Sequence, residues 1–380
     1  MIPYGRQSIS EADIEAVVAV LKSDYLTQGQ AVPAFEQGLA DYCRVPHVVA
    51  CSNGTTALHL ACAVLDLSAE ETVWVSAISF VASANCVRYC NAHVDFVDVD
   101  PATGNLDVVA LRDKLQQAAS TRTLPRALIA VHLAGQPCDL AEIGALCRQH
   151  GIALIEDACH ALGAHYQGAP IGSCLHSDMT VFSFHPVKPI TTGEGGAVTT
   201  RDPELAARLR LYRSHGITKD PQTLLAPSPG EWYYEQQLLG FNYRLTDIQA
   251  ALGLSQLGRL DHFIQQRRAL ARRYDELLAP LPLQPLLQGN HRQSGYHLYV
   301  IRVAERDRVF ARLRAAGIGV NVHYIPIPAQ PYYRALGHDP AAYPGAAAYY
   351  QGALSLPLFP TLSHPEQEQV VHALEQALWG

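Results

Sequence analysis

One lysine, Lys188, lies between two prolines, Pro186 and Pro189, in the segment TVFSFHPVKPITTGEGGA (180–197). The segment begins as an apolar run, Val181, Phe182 and Phe184 with Ser183 among them, and leaves through Gly193, Gly195 and Gly196. That pattern predicts a strand feeding a rigid loop. The prolines fix backbone φ and withhold two amides from any helix, so Lys188 is held on a defined corner. An amine presented there has one strong chemical use, condensation with a carbonyl to form a Schiff base. A solvated surface lysine beside a turn is the plainer alternative.

Other residues supply the company such an amine would need. Asp157 closes an apolar run, and an ionised carboxylate in a low-dielectric pocket favours a protonated ring nitrogen. Phe80 offers a flat face for a ring. Gly54, Thr55, Thr56 and Ser183 offer amides and hydroxyls to a phosphate dianion. Together these are the parts of a pyridoxal 5′-phosphate (PLP) site. Taken singly, each has a plain alternative: a helix-capping aspartate, a core phenylalanine, turn-forming threonines.

The elements that must position these residues follow from the pattern. Ser10 caps a helix through about Leu21, and Val32–Tyr42 forms a second. A strand at 47–51 runs through Ser52-Asn53-Gly54-Thr55-Thr56 into a helix at 57–67, which makes either an anion cradle at a helix N-terminus or an ordinary cap. Strands are expected at 72–76, 94–99, 127–133, 152–155, 181–184 and 196–199, with helices at 81–89, 107–117, 139–150 and 204–212. Strand and helix alternate with short links. The expected fold is therefore α/β, with a mostly parallel sheet covered on both faces and ligands gathered beyond the strand carboxyl ends. Residues 216–240 read as a long irregular loop, and 247–278 as one long helix. After breakers at 280–285 come strands at 296–303 and 318–323 and helices at 306–316 and 365–378. This gives a large domain over 1–254 and a small α+β domain over 255–380.

Composition narrows the classes. The chain has 380 residues, 48% hydrophobic, with a formal net charge of −7 and no basic block, so no nucleic-acid partner is expected. No apolar run is long enough to span a membrane, and the N-terminal stretch lacks the apolar region of a signal peptide, so a cytoplasmic protein is expected. Nine cysteines without CxxC spacing read as reduced, buried small hydrophobes, and no metal site is expected.

Several separated segments in one order carry a resemblance: SNGTTALHLA (52–61), SAISFVASANCV (76–87), LIEDACHALGA (154–164), FSFHPVKPITTGEGGA (182–197), GFNYRLTDIQAALG (240–253) and VHYIPI (322–327). They resemble the DegT/DnrJ/EryC1/StrS family of PLP-dependent nucleotide-sugar aminotransferases, over essentially the whole chain. FHPVKPITTGEGG and IPYGRQSIS are similar to the C4 aminotransferases of the pseudaminic acid pathway. Those enzymes aminate UDP-2-acetamido-2,6-dideoxy-β-L-arabino-hex-4-ulose from glutamate.

The resemblance implies fold type I, the aspartate aminotransferase-like architecture, and a homodimer with shared sites. It implies Lys188 as the cofactor-bound lysine, Asp157 at the pyridine nitrogen and Phe80 on the ring. Gly54, Thr55 and Ser183 hold the phosphate, and Asn242 reaches the phosphate of the neighbouring subunit. His160 stands beside the ring, and His185 shapes the sugar pocket. Arg213, Arg244, His323 and Tyr324 are candidates for the diphosphate, with Tyr4 and Tyr243 at the substrate. Relatives that remove a sugar hydroxyl carry histidine at the lysine position, so lysine points to transamination. Glutamate and the keto sugar would then use one pocket in turn, with pyridoxamine phosphate between them. Three other readings remain at this stage. A non-catalytic scaffold should have lost Lys188 or Asp157. A cysteine desulfurase needs a loop cysteine, for which Cys174 is the candidate. An NAD-dependent oxidoreductase needs a glycine fingerprint the chain lacks.

Overall fold

A computed structural model describes residues 1–379. Helix α1 (Glu11–Leu21) opens on a capping box: the Ser10 hydroxyl accepts from the Asp13 amide, and the Asp13 carboxylate accepts from the Ser10 amide at 2.8 Å. α2 (Ala31–Cys43) has no cap of its own. Instead the buried carboxylate of Asp247 accepts from the amides of Gly29, Ala31 and Val32 at 2.7–3.2 Å. The chain then alternates through β1 (His47–Cys51), α3 (Gly54–Ala63), β2 (Thr72–Ser76), α4 (Ala82–Tyr89), β3 (His93–Val97), α5 (Val108–Thr121), β4 (Ala127–Val131), α6 (Leu140–His150) and β5 (Ala153–Asp157). Two short strands, β6 (His165–Tyr166) and β7 (Ala169–Pro170), precede β8 (Met179–Ser183), β9 (Gly196–Thr200) and α7 (Pro203–Arg213).

The seven-stranded sheet has the order β1-β9-β8-β5-β4-β2-β3. β9 runs antiparallel to both its neighbours, and the other pairs are parallel. Alternate residues of the inner strands face opposite layers. Val73, Val75, Ile129, Ile155 and Val181 join one apolar cluster. Trp74, Leu128, Ala130 and Leu154 join a second on the far side, and Phe182 a third. Each buried Leu or Ile side chain contributes about 1.5–3 kcal/mol relative to exposure. Both faces are thus covered. Open ground lies at the strand ends, where Asn53, Phe80, Asp157 and Ser183 emerge.

The 216–240 stretch carries one small ribbon, β10 (Ile217–Thr218) against β11 (Glu235–Gln236). The single helix expected over 247–278 is two, α8 (Asp247–Leu257) and α9 (Leu260–Leu278), broken at Gly258-Arg259. α8 lies against α1 and α2. Within α9, Leu260, Phe263 and Ile264 pack on the large-sheet side, while Leu270, Ala271, Tyr274 and Leu278 enter a separate C-terminal core. That core is built on a three-stranded sheet, β12 (Leu283–Pro285), β14 (Tyr299–Val303) and β15 (Ala353–Leu356); β13 (Arg292–Gln293) instead pairs with β6. The helices of this part are α10 (Arg306–Ala315), α11 (Pro331–Ala335), α12 (Pro344–Gly352) and α13 (His364–Trp379). Residues 318–323, expected as a strand, are not one. Ile318 bridges Ile2 and Asn321 bridges Ser355, each as an isolated pair, so no ladder forms. Among the described residues, no helix is long and apolar enough to cross a membrane.

Candidate active site

A cavity of about 560 Å³ lies beyond the carboxyl ends of β1, β5 and β8. Lys188 forms part of its wall. The loop that carries it is braced from within: the Phe184 amide donates to Gly195 O (2.8 Å), the Thr192 amide to Phe184 O (3.0 Å), and the Lys188 amide to His185 O (2.9 Å). The Lys188 amine makes no hydrogen bond or ion pair among the described residues. Burial pushes its pKa below the usual lysine range, against the opposing pull of Cys159 and Asp157. Desolvation is the cause, and no arginine lines the cavity.

Asp157 is the last residue of β5 and is buried. Its Oδ2 accepts from Ser83 Oγ at 2.6 Å, and Oδ1 accepts from the Cys159 amide at 3.2 Å. A carboxylate only accepts, so the Ser83 proton goes to it and Ser79, 2.6 Å from Ser83, donates in turn. This relay was missed from sequence. Its signal was there in part: Ser83 falls in the first turn of α4, and Ser79 lies in the bend just before that helix.

At α3 the helix begins at Gly54, three residues earlier than expected, because Asn53 is the cap. Asn53 Oδ1 accepts from the Thr56 amide at 2.8 Å, and Thr56 Oγ1 accepts from the Asn53 amide at 3.1 Å. The Thr56 hydroxyl also donates to Asn53 O. It is therefore spent on the capping box and does not line the cavity, contrary to the phosphate role expected for it. The amides of Gly54 and Thr55 remain unused by the helix. They face the cavity with the Ser183 hydroxyl.

Phe80 is 57% exposed, so a ring face lies bare to the cavity, and its centroid is 6.1 Å from Tyr324. His160 is buried, with Nε2 3.1 Å from the Tyr324 hydroxyl and Nδ1 lacking any partner. Burial, with the nearby Lys188 and His323, pushes its pKa well down. Tyr4, His185, His323 and Tyr324 all reach the cavity. His323 was expected to help neutralise a diphosphate. It is buried, bonded to Ser355 Oγ at 2.8 Å, and burial lowers its pKa to about 3, so it carries no charge to offer.

Besides Thr56, four expected residues are not brought to this cavity. Arg213 is spent inside the fold, donating to Glu36 Oε1 (2.6 Å) and to Ala50 O (2.9 Å). Tyr243 stacks on Phe241 and meets His59 Nδ1 at 3.1 Å. Asn242 is exposed and bridges Ser214, and Arg244 is half-buried outside the cavity wall. Cys174, weighed as a nucleophile, is buried among Thr180 and Thr199, and burial pushes its thiol up to about 12. The cysteine that does line the cavity is Cys159, which burial also raises well above the usual range. Neither is a poised thiolate.

The residues present fit PLP. An amine without a protein partner, an orphaned buried nitrogen on His160 and a carboxylate at a strand end surround one space. Gly54 adds a cradle that a side chain would fill, since a Cβ there would stand 2.8 Å from Ser183 Cβ.

Residues 7–375 match the model of the DegT/DnrJ/EryC1/StrS aminotransferase family. The chain is 38% identical to the GDP-perosamine synthase of Caulobacter vibrioides, covering 92% of this chain and 91% of that one. It is 36% identical to the UDP-4-amino-4,6-dideoxy-N-acetyl-beta-L-altrosamine transaminase of Campylobacter jejuni, covering 94% and 92%. Helicobacter pylori PseC, an aminotransferase involved in the biosynthesis of pseudaminic acid, superposes with a TM-score of 0.91 at 31% identity over 99% of both chains. Structural neighbours have been solved in PLP and PMP forms. The family model spanning nearly the whole chain, together with the buried amine, carboxylate and phosphate cradle, places this protein in the DegT/DnrJ/EryC1/StrS aminotransferase family, as a PLP-dependent fold-type-I enzyme.

Proposed function

We propose that the enzyme moves the amino group of L-glutamate to C4 of a UDP-linked 4-keto-6-deoxy-N-acetylhexosamine, UDP-2-acetamido-2,6-dideoxy-β-L-arabino-hex-4-ulose. The observation that carries the reading is the Lys188 amine, held by its own loop in a desolvated cavity wall that it shares with Asp157. The similarity to the Campylobacter transaminase and to PseC supports the choice of sugar. The comparable similarity to GDP-perosamine synthase supports a second reading, an aminotransferase for another keto nucleotide sugar.

When bound, PLP supplies a carbonyl for amine exchange and an electron sink for the carbon that loses its proton. Lys188 would hold it and would serve as the base for the proton at glutamate Cα and later at the sugar carbon. Burial lowers its pKa from the usual lysine range, in the direction that favours the neutral amine such a base needs. Asp157, fixed by Ser83 and the Cys159 amide, would hold the pyridine N–H. The amides of Gly54 and Thr55 and the hydroxyl of Ser183 would receive the phosphate at the positive end of α3. Phe80 would cover one ring face, while Tyr4, His185 and Tyr324 bound the space left for the sugar.

In this reading the enzyme is a homodimer whose partner brings Asn242, Tyr243 and Arg244 to the site, supplying a cation the cavity lacks. Residues 1–254 form the cofactor domain and 255–380 the small domain. The test is incubation of the holoenzyme and glutamate with a panel of 3-keto and 4-keto nucleotide sugars, with products assigned by NMR. A 4-amino UDP-sugar is the expected product. Amination of none of the panel, or only at C3, would overturn the assignment.

A further inference from the structure

His160 lines the cofactor cavity, and a second imidazole, His297, packs against it without reaching that space. The ring centroids are 4.4 Å apart and the planes tilt by 47°. Both side chains are buried, at 5% and 4% exposure, and the Nδ1 atom of each lacks a partner among the described residues. The two rings are thus in contact without a hydrogen bond between those nitrogens. What His297 offers His160 is a packed face.

The main chain around His297, just before β14, is tied down three times. The Gly295 amide donates to Gly135 O at 2.9 Å, and the Leu298 amide to Ala134 O at 3.2 Å. Gly135 makes this approach possible. Its φ is +97°, and a Cβ there would stand 2.8 Å from His160 O and 2.9 Å from His297 N. The third tie is Arg267 of α9, only 1% exposed, whose Nη1 donates to Tyr296 O at 3.3 Å, His297 O at 3.1 Å and Leu358 O at 3.0 Å. Arg267 has no acid partner among the described residues. A buried guanidinium without a carboxylate is a costly anchor for a loop that only filled space.

We propose that His297 is a positioning residue: its ring fixes His160 beside the cofactor and keeps water from it, so that His160 works as a neutral imidazole bonded to Tyr324. His160 Nε2 is 3.1 Å from the Tyr324 hydroxyl, which belongs to the same cavity. Burial is the first cause of the lowered His160 pKa, with Lys188 and His323 adding to it, and the His297 ring supplies part of that burial. The other titratable groups around His160 are His297 itself, the Tyr324 hydroxyl, and Asp157 and Cys159 in the cavity wall. A neutral His160 leaves the charge of the cavity to Lys188, Asp157 and the cofactor. The proposal rests on the PLP reading of this cavity and adds to it what keeps a ring-side residue uncharged.

The test follows the visible absorbance of the PLP-loaded enzyme, and its kcat, from about pH 8 down to about pH 5.5, a range that brackets the ordinary histidine pKa. His297→Phe keeps a flat ring and has no nitrogen, so it should retain the parent's pH dependence. His297→Ala removes the face and admits water. It should add a step to the absorbance curve near about pH 6.5 and lower kcat at about pH 6 roughly fourfold further than in the parent, the neutral fraction left at an ordinary histidine pKa. Adding His160→Gln should remove the new step. If His297→Ala does not fold, His297→Leu, which fills the space without a flat face, is read in its place. A folded variant without the ring that keeps the parent's curve would overturn the proposal, as would a new step that survives His160→Gln or that His297→Phe shares. Packing alone would lower the unfolding temperature and leave both pH curves unchanged. The absorbance needs no sugar, so failure here leaves the proposed function standing, and a panel of unreactive sugars leaves this test intact. A chain that binds no PLP removes both.

Discussion

Ser83 and Asp157 are joined by a 2.6 Å hydrogen bond that links the first turn of α4 to the end of β5. Ser83 donates, so the carboxylate is oriented at the point where a ring nitrogen would need it. Ser83→Ala removes one charge-assisted donor without emptying the site. The expected result is a fall in kcat of about tenfold, matching about 1.4 kcal/mol, with KM for glutamate little changed. Steady-state kinetics on both substrates checks it. An unchanged kcat would mean that the Cys159 amide alone positions Asp157.

Three buried histidines, His160, His297 and His323, surround the Lys188 region, and burial holds the pKa of each well below normal. His323 is held at about 3. The groups facing them are Lys188 and Arg267, both cationic when protonated, and the Tyr324 hydroxyl. In the unfolded chain these histidines titrate near 6.5, so below that pH the unfolded state binds more protons. Stability is therefore fully present above about pH 7. It falls as the pH drops below about 6.5, by up to about 1.4 kcal/mol per pH unit for each histidine. Urea midpoints measured from pH 7.5 to 5 should decline on that side, and His297→Asn should make the decline shallower. A flat profile would show that these histidines are protonated in the fold.

The central part of the site was legible because its residues stand at the ends of predictable strands and within one local segment. Lys188, Ser183, Phe80 and Asp157 needed only the alternation of strand and helix to be brought together. What escaped was set by partners distant in sequence. The bond from Ser83 spans 74 residues, and the carboxylate that caps α2 comes from Asp247, 216 residues beyond Ala31. Thr56 was misread for a different reason. A hydroxyl at the third position of a helix serves a capping box or a phosphate equally well, and only the Asn53 geometry decides. The break between α8 and α9 was invisible because Gly258-Arg259 carries no proline and the helical period resumes at once.

Arg213 shows how a guanidinium near a site can be structural. It lies half-way between bulk and core, paired with Glu36 and Ala50 O where β1 meets α7. Arg213→Ala should lower stability by about 1.5–3 kcal/mol, because Glu36 would lose its charged partner. KM for the sugar nucleotide should stay within twofold of the parent. Denaturant unfolding alongside kinetics separates the two, and a tenfold rise in KM at unchanged stability would restore the substrate-binding role.

Gly54 and Thr56 sit two residues apart at the start of α3, yet the structure gives them opposite jobs. A Cβ at Gly54 would lie 2.8 Å from Ser183 Cβ, 3.0 Å from its Oγ and 3.5 Å from Cys159 Sγ, inside the space where a phosphate must approach the amides. Alanine is otherwise favoured over glycine in a helix by roughly 0.5–1 kcal/mol, so Gly54→Ala carries no propensity penalty, and its cost is the clash with Ser183 Cβ, about 1–3 kcal/mol. It should weaken PLP retention at least tenfold. Thr56→Val should instead cost about 1 kcal/mol of stability through the lost cap and leave PLP affinity unchanged. Fluorescence titration of PLP into the apoenzyme, paired with thermal unfolding, reads both effects. The same phenotype in both variants would show that the cap and the cradle are one feature.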